Sequence, residues 1–328
     1  MASRTHRLPS ERIKRFIRTG ILETDMVTRR LLMAAAGSIA LNPLRALAQQ
    51  GSFESEAMHR GRATVPVFLN GEGPYQFMVD TAATASLISS DLAKRLQLPP
   101  AGAIGMHTLV GREVVPTVRV ARMNTGALNA PDVVLAVGSR AAISGLDGLL
   151  GCDLLADRKV ILNLNGTERV RIARSTAPPR SFRPGITPGI PVVIAGERRL
   201  GSLLAVPSQV GRSPVVAIID SGAEGTILNR AAALAGRAMP LTPGDGQSIR
   251  RVQSPTGQVT WGQAMLLPSL RLVGGVDVSN LAVAVGDFHS FRIWGLDNQP
   301  AVLIGMDILR RFKSVHIDLK RSELSLHI

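Results

Sequence analysis

The feature that most constrains the fold of this 328-residue chain is an internal duplication. Residues 80–89 read Asp-Thr-Ala-Ala-Thr-Ala-Ser-Leu-Ile-Ser, and residues 220–229 read Asp-Ser-Gly-Ala-Glu-Gly-Thr-Ile-Leu-Asn, a constant offset of 140 residues. The segments agree in residue class at every position except the fifth. Each follows an apolar run, Phe77-Met78-Val79 or Ala217-Ile218-Ile219, which predicts a buried strand that ends by presenting an Asp.

The second half of each copy repeats as well. Residues 148–155 match residues 302–309, and each stretch leads into an alternating apolar sequence typical of a strand. The second copy is 14 residues longer between its Asp and its shared Gly, and we expect these extra residues in loops between Val259 and Pro300. A short helix is predicted after each Asp-containing segment, capped by Ser89 or Ser90 in the first copy and by Asn229 in the second.

The N-terminal segment has the pattern of an export signal. Arg29 and Arg30 precede a mildly apolar stretch, and Ala46-Leu47-Ala48 supplies an A-x-A cleavage pattern. The paired arginines resemble the twin-arginine signal of bacteria, which predicts a periplasmic or secreted protein. An amphipathic helix or a permanent signal anchor is the alternative. The predicted organisation is a signal segment (1–48), a first lobe (49–172), a Pro-rich linker (173–189) and a second lobe (190–328).

Charge and composition exclude several function classes. The net charge of +14 falls to +8 without residues 1–48, and the remaining basic residues are scattered without interleaved aromatics, so no nucleic-acid partner is expected. No apolar run is long enough for a spanning helix, so we expect no stable membrane span once the signal is removed. The single Cys152 excludes an intrachain disulfide, and the six His residues lack metal-site spacing, so no metal site is expected.

A hydrophobic strand that ends in Asp-[Thr/Ser]-Gly-Ala and is followed much later by two aliphatic residues and a Gly is typical of the retropepsin-like aspartic peptidases, and both copies of this chain resemble that pattern. The resemblance covers about residues 60–172 and 190–328. It implies a mainly β fold of two acid-protease lobes in a pseudo-two-fold bilobal arrangement, with short helices only. It also implies an endopeptidase that uses Asp80 and Asp220 as a catalytic dyad on peptide or protein substrates, without a cofactor. Because one chain carries both copies, a monomer with an internal pseudo-dimer is expected.

The resemblance carries further roles onto positions of this chain. Hydroxyl groups beside the dyad are expected to hydrogen-bond across the two loops, small residues to allow close backbone approach, and one glycine to pack beneath each loop. These dyad-supporting positions are Thr81, Ser221, Ala82, Gly222, Gly151 and Gly305. A hairpin flap that contacts substrate is expected in each copy, at Val110-Gly111-Arg112 and at Ser254-Pro255-Thr256-Gly257.

Ala82 departs from the family pattern, which has Gly there. The substitution costs about 1 kcal/mol if the backbone φ is positive. A non-catalytic peptide-binding module on the same fold is therefore an alternative function, and dimerisation between chains with one good half-site each is another. A rival from a different class is a structural or assembly protein of the cell envelope that uses the basic surface for anionic partners.

Two further pairs of residues have simpler interpretations. Asp153 and Asp307 recur as faithfully as the proposed dyad, and helix N-capping is the interpretation we favour for them. Trp261 and Trp294 lie in the longer loop region of the second copy, where either a substrate pocket or core packing would explain them.

Overall fold

The computed structural model describes residues 62–165, 170–176, 191–200, 202–241 and 249–328. The predicted signal segment and most of the predicted linker lie outside the described residues. The described part contains 21 strands and five short helices, so the prediction of a mainly β fold with short helices is confirmed. None of these helices has the length and apolar character that crossing a membrane requires.

The first copy contributes nine strands and two helices. They are β1 (Thr64–Leu69), β2 (Glu72–Val79), β3 (Leu87–Ser89), α1 (Ser90–Arg95), β4 (Pro100–His107), β5 (Arg112–Thr125), β6 (Leu128–Gly138), β7 (Gly148–Leu150), α2 (Cys152–Leu155), β8 (Arg158–Asn163) and β9 (Val170–Arg174).

The second copy contributes the remaining twelve strands and three helices. They are β10 (Val192–Ala195), β11 (Glu197–Arg199), β12 (Leu203–Val210), β13 (Ser213–Ile219), β14 (Ile227–Leu228), α3 (Arg230–Ala235), β15 (Met239–Pro240), β16 (Ile249–Gln253), β17 (Val259–Leu272), β18 (Val276–Val285), α4 (His289–Ile293), β19 (Ala301–Ile304), α5 (Met306–Leu309), β20 (Ser314–Asp318) and β21 (Glu323–His327).

Each copy forms one barrel-like lobe. The first sheet has the order β1-β2-β7-β3-β6-β5-β4, and an additional pairing of β1 with β5 closes it. The second sheet has the order β11-β12-β13-β19-β14-β18-β17-β15. In addition, β16 pairs with β17, and a pairing of β12 with β17 closes the sheet. In both lobes the strand that precedes the Asp runs parallel to the strand that precedes the shared Gly. Because parallel strands end at the same edge, the Asp and the Gly of each copy meet there.

A third sheet joins the two copies. Its order is β10-β21-β20-β8-β9, and every pair in it is antiparallel. β8 and β9 come from the first copy, whereas the other three strands come from the second. β9 extends to Arg174, so it includes the first two residues of the predicted linker. Backbone hydrogen bonds between β8 and β20 therefore connect the lobes directly.

Close packing at the strand ends explains several residue choices. Phe77 is fully buried at the end of β2, and a Cβ built on Gly148 would overlap its ring, so only glycine fits beside it on β7. The Ser89 side chain accepts from the Leu92 N–H at the start of α1, and Asn229 accepts from the Ala232 N–H at the start of α3. The predicted caps at Ser89 and Asn229 are therefore confirmed, although both helices have only six residues.

The extra residues of the second copy are divided between two places. The connection between β18 and β19 (286–300) is longer than the one between β6 and β7 (139–147), and it contains α4. The rest of the insertion precedes β17, so the prediction that it lies between Val259 and Pro300 was right only in part. The position of α4 matters for the site because the hairpin of the first copy packs against it.

Candidate active site

The two aspartates lie in equivalent loops at the ends of the parallel strand pairs. The Asp80 N–H donates to the Leu150 carbonyl (2.9 Å), and the Asp220 N–H donates to the Ile304 carbonyl (2.9 Å). Asp80 is 8% exposed and Asp220 is 5% exposed. The fold thus presents two buried carboxyl groups from two loops of the same shape.

Backbone amides of each loop orient its carboxyl group. The N–H groups of Ala82 and Ala83 donate to Asp80 Oδ1 at 3.0 and 2.8 Å. The N–H groups of Gly222 and Ala223 donate to Asp220 Oδ1 at 2.7 and 3.0 Å. One oxygen of each carboxyl is therefore held by its own loop, which leaves the second oxygen for other partners.

The Asp80 carboxyl reaches the loop of Asp220. A Cβ built on Gly222 would overlap Asp80 Cγ and Oδ2, and the Gly222 N–H donates to Asp220 Oδ1 (2.7 Å), so the two carboxyls are close neighbours. Burial raises the pKa of Asp80, while the amide N–H groups of Ala82 and Ala83 act in the opposite direction. Burial raises the pKa of Asp220 well above its ordinary range, and the negative charge of Asp80 adds to this rise. Two negative charges so near each other repel, which disfavours ionisation of both carboxyls. The arrangement therefore favours one proton held by the pair.

Two hydroxyl groups connect the loops. Thr81 Oγ1 donates to the Ile219 carbonyl (2.8 Å) and accepts from the Ser221 N–H (3.1 Å). In the reverse direction, Ser221 Oγ donates to the Val79 carbonyl (2.7 Å) and accepts from the Thr81 N–H (3.3 Å). Both side chains are buried, so four hydrogen bonds inside the protein fix the spacing of the two loops.

The small residues after the hydroxyls differ in what they allow. A Cβ built on Gly222 would overlap the Asp80 carboxyl group, so the site requires glycine at this position. Ala82 occupies the equivalent position in the first copy. Neither residue has a positive φ, so the condition under which Ala82 would strain the backbone is not met.

Glycine is also required below each loop. A Cβ on Gly151 would lie 2.9 Å from the carbonyls of Ala83 and Ala85, and a Cβ on Gly305 would lie 2.7 Å from the Gly225 carbonyl. Both distances are shorter than side-chain atoms tolerate. The two glycines therefore pack against the backs of the dyad loops.

A second carboxylate supports each loop, and its partner was missed from the sequence. Asp153 accepts from the Ser86 N–H (2.9 Å) and hydroxyl (2.7 Å), and Asp307 accepts from the Thr226 N–H (3.0 Å) and hydroxyl (2.8 Å). The N-cap residues of α2 and α5 are glycines, so N-capping by these aspartates was a wrong prediction. The repeated hydroxyl in both copies was the signal that pointed to this pairing.

The expected flap segments are the turns of two long hairpins. Val110 and Gly111 lie in the turn between β4 and β5, where both N–H groups donate to Thr108 Oγ1 at 3.2 Å. Pro255 and Gly257 lie in the turn between β16 and β17. In the second turn the Gly257 N–H donates to the Ser254 carbonyl (3.0 Å). The backbone φ of Gly257 is +103°, a conformation that favours glycine.

The two hairpin turns contact each other. Thr108 Oγ1 donates to Gln258 Oε1 at 3.3 Å, which links the first turn to the last residue of the second turn, just before β17. The same Gln258 oxygen lies 3.6 Å from the position of a Cβ on Gly111. The structure thus places both predicted flap segments together.

A cavity of about 310 Å3 lies beside the Ala82 loop. Its apolar wall is formed by Leu200, Ile293 and Trp294, and its polar lining comes from Thr84, His107 and Ser290. This volume is at the small end of the range for ligand sites. Trp294 therefore lines a pocket, whereas Trp261 is 55% exposed on the second hairpin.

Arg62 binds the opposite loop. Its guanidinium donates to the Gly222 carbonyl (2.8 Å) and forms an ion pair with Glu224 (3.2 Å). Glu224 is the position in the second copy that corresponds to Thr84. The two sides of the dyad therefore differ: a cavity adjoins Ala82, and an ion pair adjoins Gly222.

Cys152 lies directly below the first loop, where its Sγ is 3.3 Å from the Thr81 carbonyl. Burial raises the pKa of the Cys152 thiol, and nearby carboxylates add to the effect, so the thiol stays protonated and unreactive. Within the described residues, no group of three or more His, Cys, Asp or Glu side chains could hold a metal ion.

Comparisons with known proteins match both copies. Residues 65–157 match the family model "gag-polyprotein putative aspartyl protease", and residues 206–308 match the family model "Aspartyl protease". A similar solved structure is a retropepsin-like aspartic protease from Rickettsia conorii, with 22% identity, a TM-score of 0.28, and coverage of 42% of this chain and 88% of that one. None of the curated proteins compared with the chain matches it.

Proposed function

Because this chain belongs to the retropepsin-like aspartyl protease family, with one family match in each copy, we propose that it is an aspartic endopeptidase that uses Asp80 and Asp220 as its dyad. The observation that carries the proposal is the pair of buried carboxyl groups. Both adjoin Gly222, and each is held by two amides of its own loop.

The proposed chemistry needs only these two groups and water. With one proton on the pair, the ionised carboxylate takes a proton from a water molecule as its oxygen attacks the peptide carbonyl carbon. The protonated carboxyl donates its proton to the carbonyl oxygen, which gives a neutral tetrahedral diol. The pair then donates its proton to the amide nitrogen. As the C–N bond breaks, one diol hydroxyl returns a proton to the pair, which gives a carboxylic acid and an amine and leaves one proton on the pair. The raised pKa values of both aspartates support this assignment.

We propose that substrate lies between the dyad loops and the two hairpin turns. The cavity beside Ala82 would accept a substrate side chain next to the bond that is cut. Its lining of Leu200, Ile293 and Trp294 favours a large apolar side chain, because burial of apolar surface is the main gain available there. The Arg62–Glu224 ion pair would border the other side of that bond.

A monomer that contains both half-sites is part of the proposal, since Thr81 and Ser221 of one chain already provide the contacts between the loops. We also propose export through residues 1–48, on the strength of the twin arginines and the A-x-A pattern. N-terminal sequencing of the protein recovered from a bacterial periplasm would test the export proposal. A mature chain that begins near Gln49 is the expected result, and a cytoplasmic chain with residues 1–48 intact would contradict it.

The experiment for the peptidase proposal is cleavage of a peptide library at mildly acidic pH by the wild type, Asp80→Asn and Asp220→Asn. Because the two carboxyls act as one unit, each substitution should lower kcat by at least about a thousandfold. Asp147→Asn is the matched control, because Asp147 binds the Gln76 N–H and Arg140 away from the dyad. The control should keep wild-type activity.

Other outcomes would favour the alternatives. A folded wild type that binds peptides without cutting them would favour a peptide-binding module on the same fold. Loss of activity in Asp220→Asn alone would favour half-sites that pair between two chains. Neither binding nor cleavage would favour a structural or assembly role in the cell envelope.

A further inference from the structure

The first hairpin turn is fastened to α4 by two hydrogen bonds. His107 is the last residue of β4 and His289 is the first residue of α4, and His107 Nδ1 lies 2.8 Å from His289 Nε2. The two rings are almost parallel, at 9°. In addition, the His289 backbone N–H donates to the Leu109 carbonyl in the turn (2.9 Å). One side-chain bond and one backbone bond therefore hold the hairpin against the helix.

This contact spans the cavity beside the dyad. His107 belongs to the hairpin wall of the cavity, while Ser290, Ile293 and Trp294 belong to the α4 wall. Ala82, two residues after Asp80, also lines this cavity. The His107–His289 contact is therefore one of the two bonds that set the separation of the walls, and breaking it would leave only the Leu109 backbone bond to hold the hairpin against α4.

The charged groups around the pair are mainly cationic. Arg112 is the cross-strand partner of His107 in the hairpin. On α4, Arg292 lies one turn after His289 and opposes its protonation. Asp287 precedes the helix but forms an ion pair with Arg230 (2.8 Å). The Gln258 side chain, which contacts the turn from the second hairpin, is neutral. A proton added to the pair is therefore poorly compensated.

A hydrogen bond between two imidazoles needs one nitrogen that donates and one that accepts. The neutral pair meets this need, and so does a pair that carries one extra proton. A pair with two extra protons has no acceptor left, and its two positive charges repel each other.

We propose that His107 and His289 form an acid-released latch, which holds the first hairpin against α4 at the cavity beside the dyad near neutral pH and lets it move away when both imidazoles are protonated. Burial, His107 and Arg292 lower the pKa of His289, which places the second protonation below the ordinary imidazole range. Acid would then open access to the cavity in the same range in which a dyad with one shared proton is active. This consequence for access rests on the proposed function, whereas the opening itself does not.

Amide hydrogen exchange tests the opening without substrate. After correction for the intrinsic pH dependence of exchange, segments 107–111 and 288–290 of the wild type should exchange at least about tenfold faster at about pH 4.5 than at about pH 7.5. Amides in the core, such as the Asp220 N–H bonded to Ile304, should stay protected at both pH values. These core amides report whether each variant is folded.

The variants are His107→Gln and His289→Gln, measured separately. A Gln amide does not titrate and can still accept or donate, so each variant should stay protected at acidic pH. If one variant fails to keep its core amides protected, the other supplies the test. His316→Gln, in the sheet that joins the lobes, is the matched control and should show the wild-type response.

Two results would overturn the latch: equal protection of both segments at the two pH values in the wild type, or an acid-induced loss of the same size in both Gln variants. Peptide cleavage is measured separately. A wild type that opens in acid but cuts no peptide would contradict the proposed function and support the latch. A wild type that cuts peptides without acid-induced opening would support the proposed function and contradict the latch.

Discussion

Removal of the Thr81 hydroxyl should destabilise the protein because that group makes two hydrogen bonds between the dyad loops. Thr81→Val keeps the shape of the side chain but deletes the donor to the Ile219 carbonyl (2.8 Å) and the acceptor for the Ser221 N–H (3.1 Å). Thr81 is fully buried, so water cannot replace either partner. An unpaired buried group costs about 1–3 kcal/mol, and two such groups give an expected loss of about 2–6 kcal/mol in the free energy of unfolding.

Thr117→Val is the matched control for this prediction. Thr117 is 2% exposed, and its hydroxyl has no hydrogen-bond partner among the residues that the structure describes. Removal of an unpaired buried hydroxyl should leave the free energy of unfolding unchanged or raise it slightly. The same chemical change is thus predicted to have opposite consequences at two buried positions.

The assay is urea unfolding of the wild type and both variants, followed by far-ultraviolet circular dichroism. The free energy of unfolding of Thr81→Val should lie at least about 2 kcal/mol below that of Thr117→Val. If the two variants are equally stable, the four bonds between the loops do not hold the dyad as described. Ser221→Ala removes the reciprocal bonds, and combining it with Thr81→Val should give a loss smaller than the sum of the single losses, since both residues join the same two loops.

Two further predictions concern the dyad's surroundings and acid stability. Gly222→Ala should lower kcat by about a hundredfold, because the added Cβ would displace the Asp80 carboxyl. Ala82→Gly is the control and should retain activity. Equal kcat values in the two variants would contradict the steric argument. Burial, His327 and nearby cations lower the pKa of His316 to about 4, so the unfolded state binds a proton before the folded state does. The free energy of unfolding should therefore fall as the pH drops from the ordinary imidazole pKa toward 4. In an acid titration, His316→Gln should unfold at a lower pH than the wild type. An unchanged unfolding midpoint would exclude this linkage.

The dyad loops were the part of the molecule that sequence could predict. Their determinants are local, because an apolar strand, an Asp, a hydroxyl and small residues follow one another within ten positions. The duplication then doubled the signal. The positions of Thr81 and Ser221 across from each other are a consequence of the same repeat.

Features that depend on contacts between distant segments were not predictable in the same way. The sheet that joins the lobes pairs Leu162 of β8 with Val315 of β20, and the sequence of neither strand indicates which strand it pairs with. The meeting of His107 with His289 depends on α4, which has no counterpart in the first copy. The partner of Asp153 was missed because a recurring Asp near a short helix suggested a helix cap. The hydroxyl residue repeated at Ser86 and Thr226 was the sequence signal for the observed pairing.

The central claim, that Asp80 and Asp220 act as one acid–base unit, is tested most directly by a nuclear magnetic resonance titration of their carboxyl carbons. In the wild type, both signals should respond to the same two protonation steps, with the first proton taken up well above the ordinary aspartate range. In Asp80→Asn, the pKa of Asp220 should fall, because the negative charge of Asp80 is removed, but burial should keep it raised. Two independent titrations near the ordinary aspartate pKa, unchanged by either substitution, would contradict the dyad.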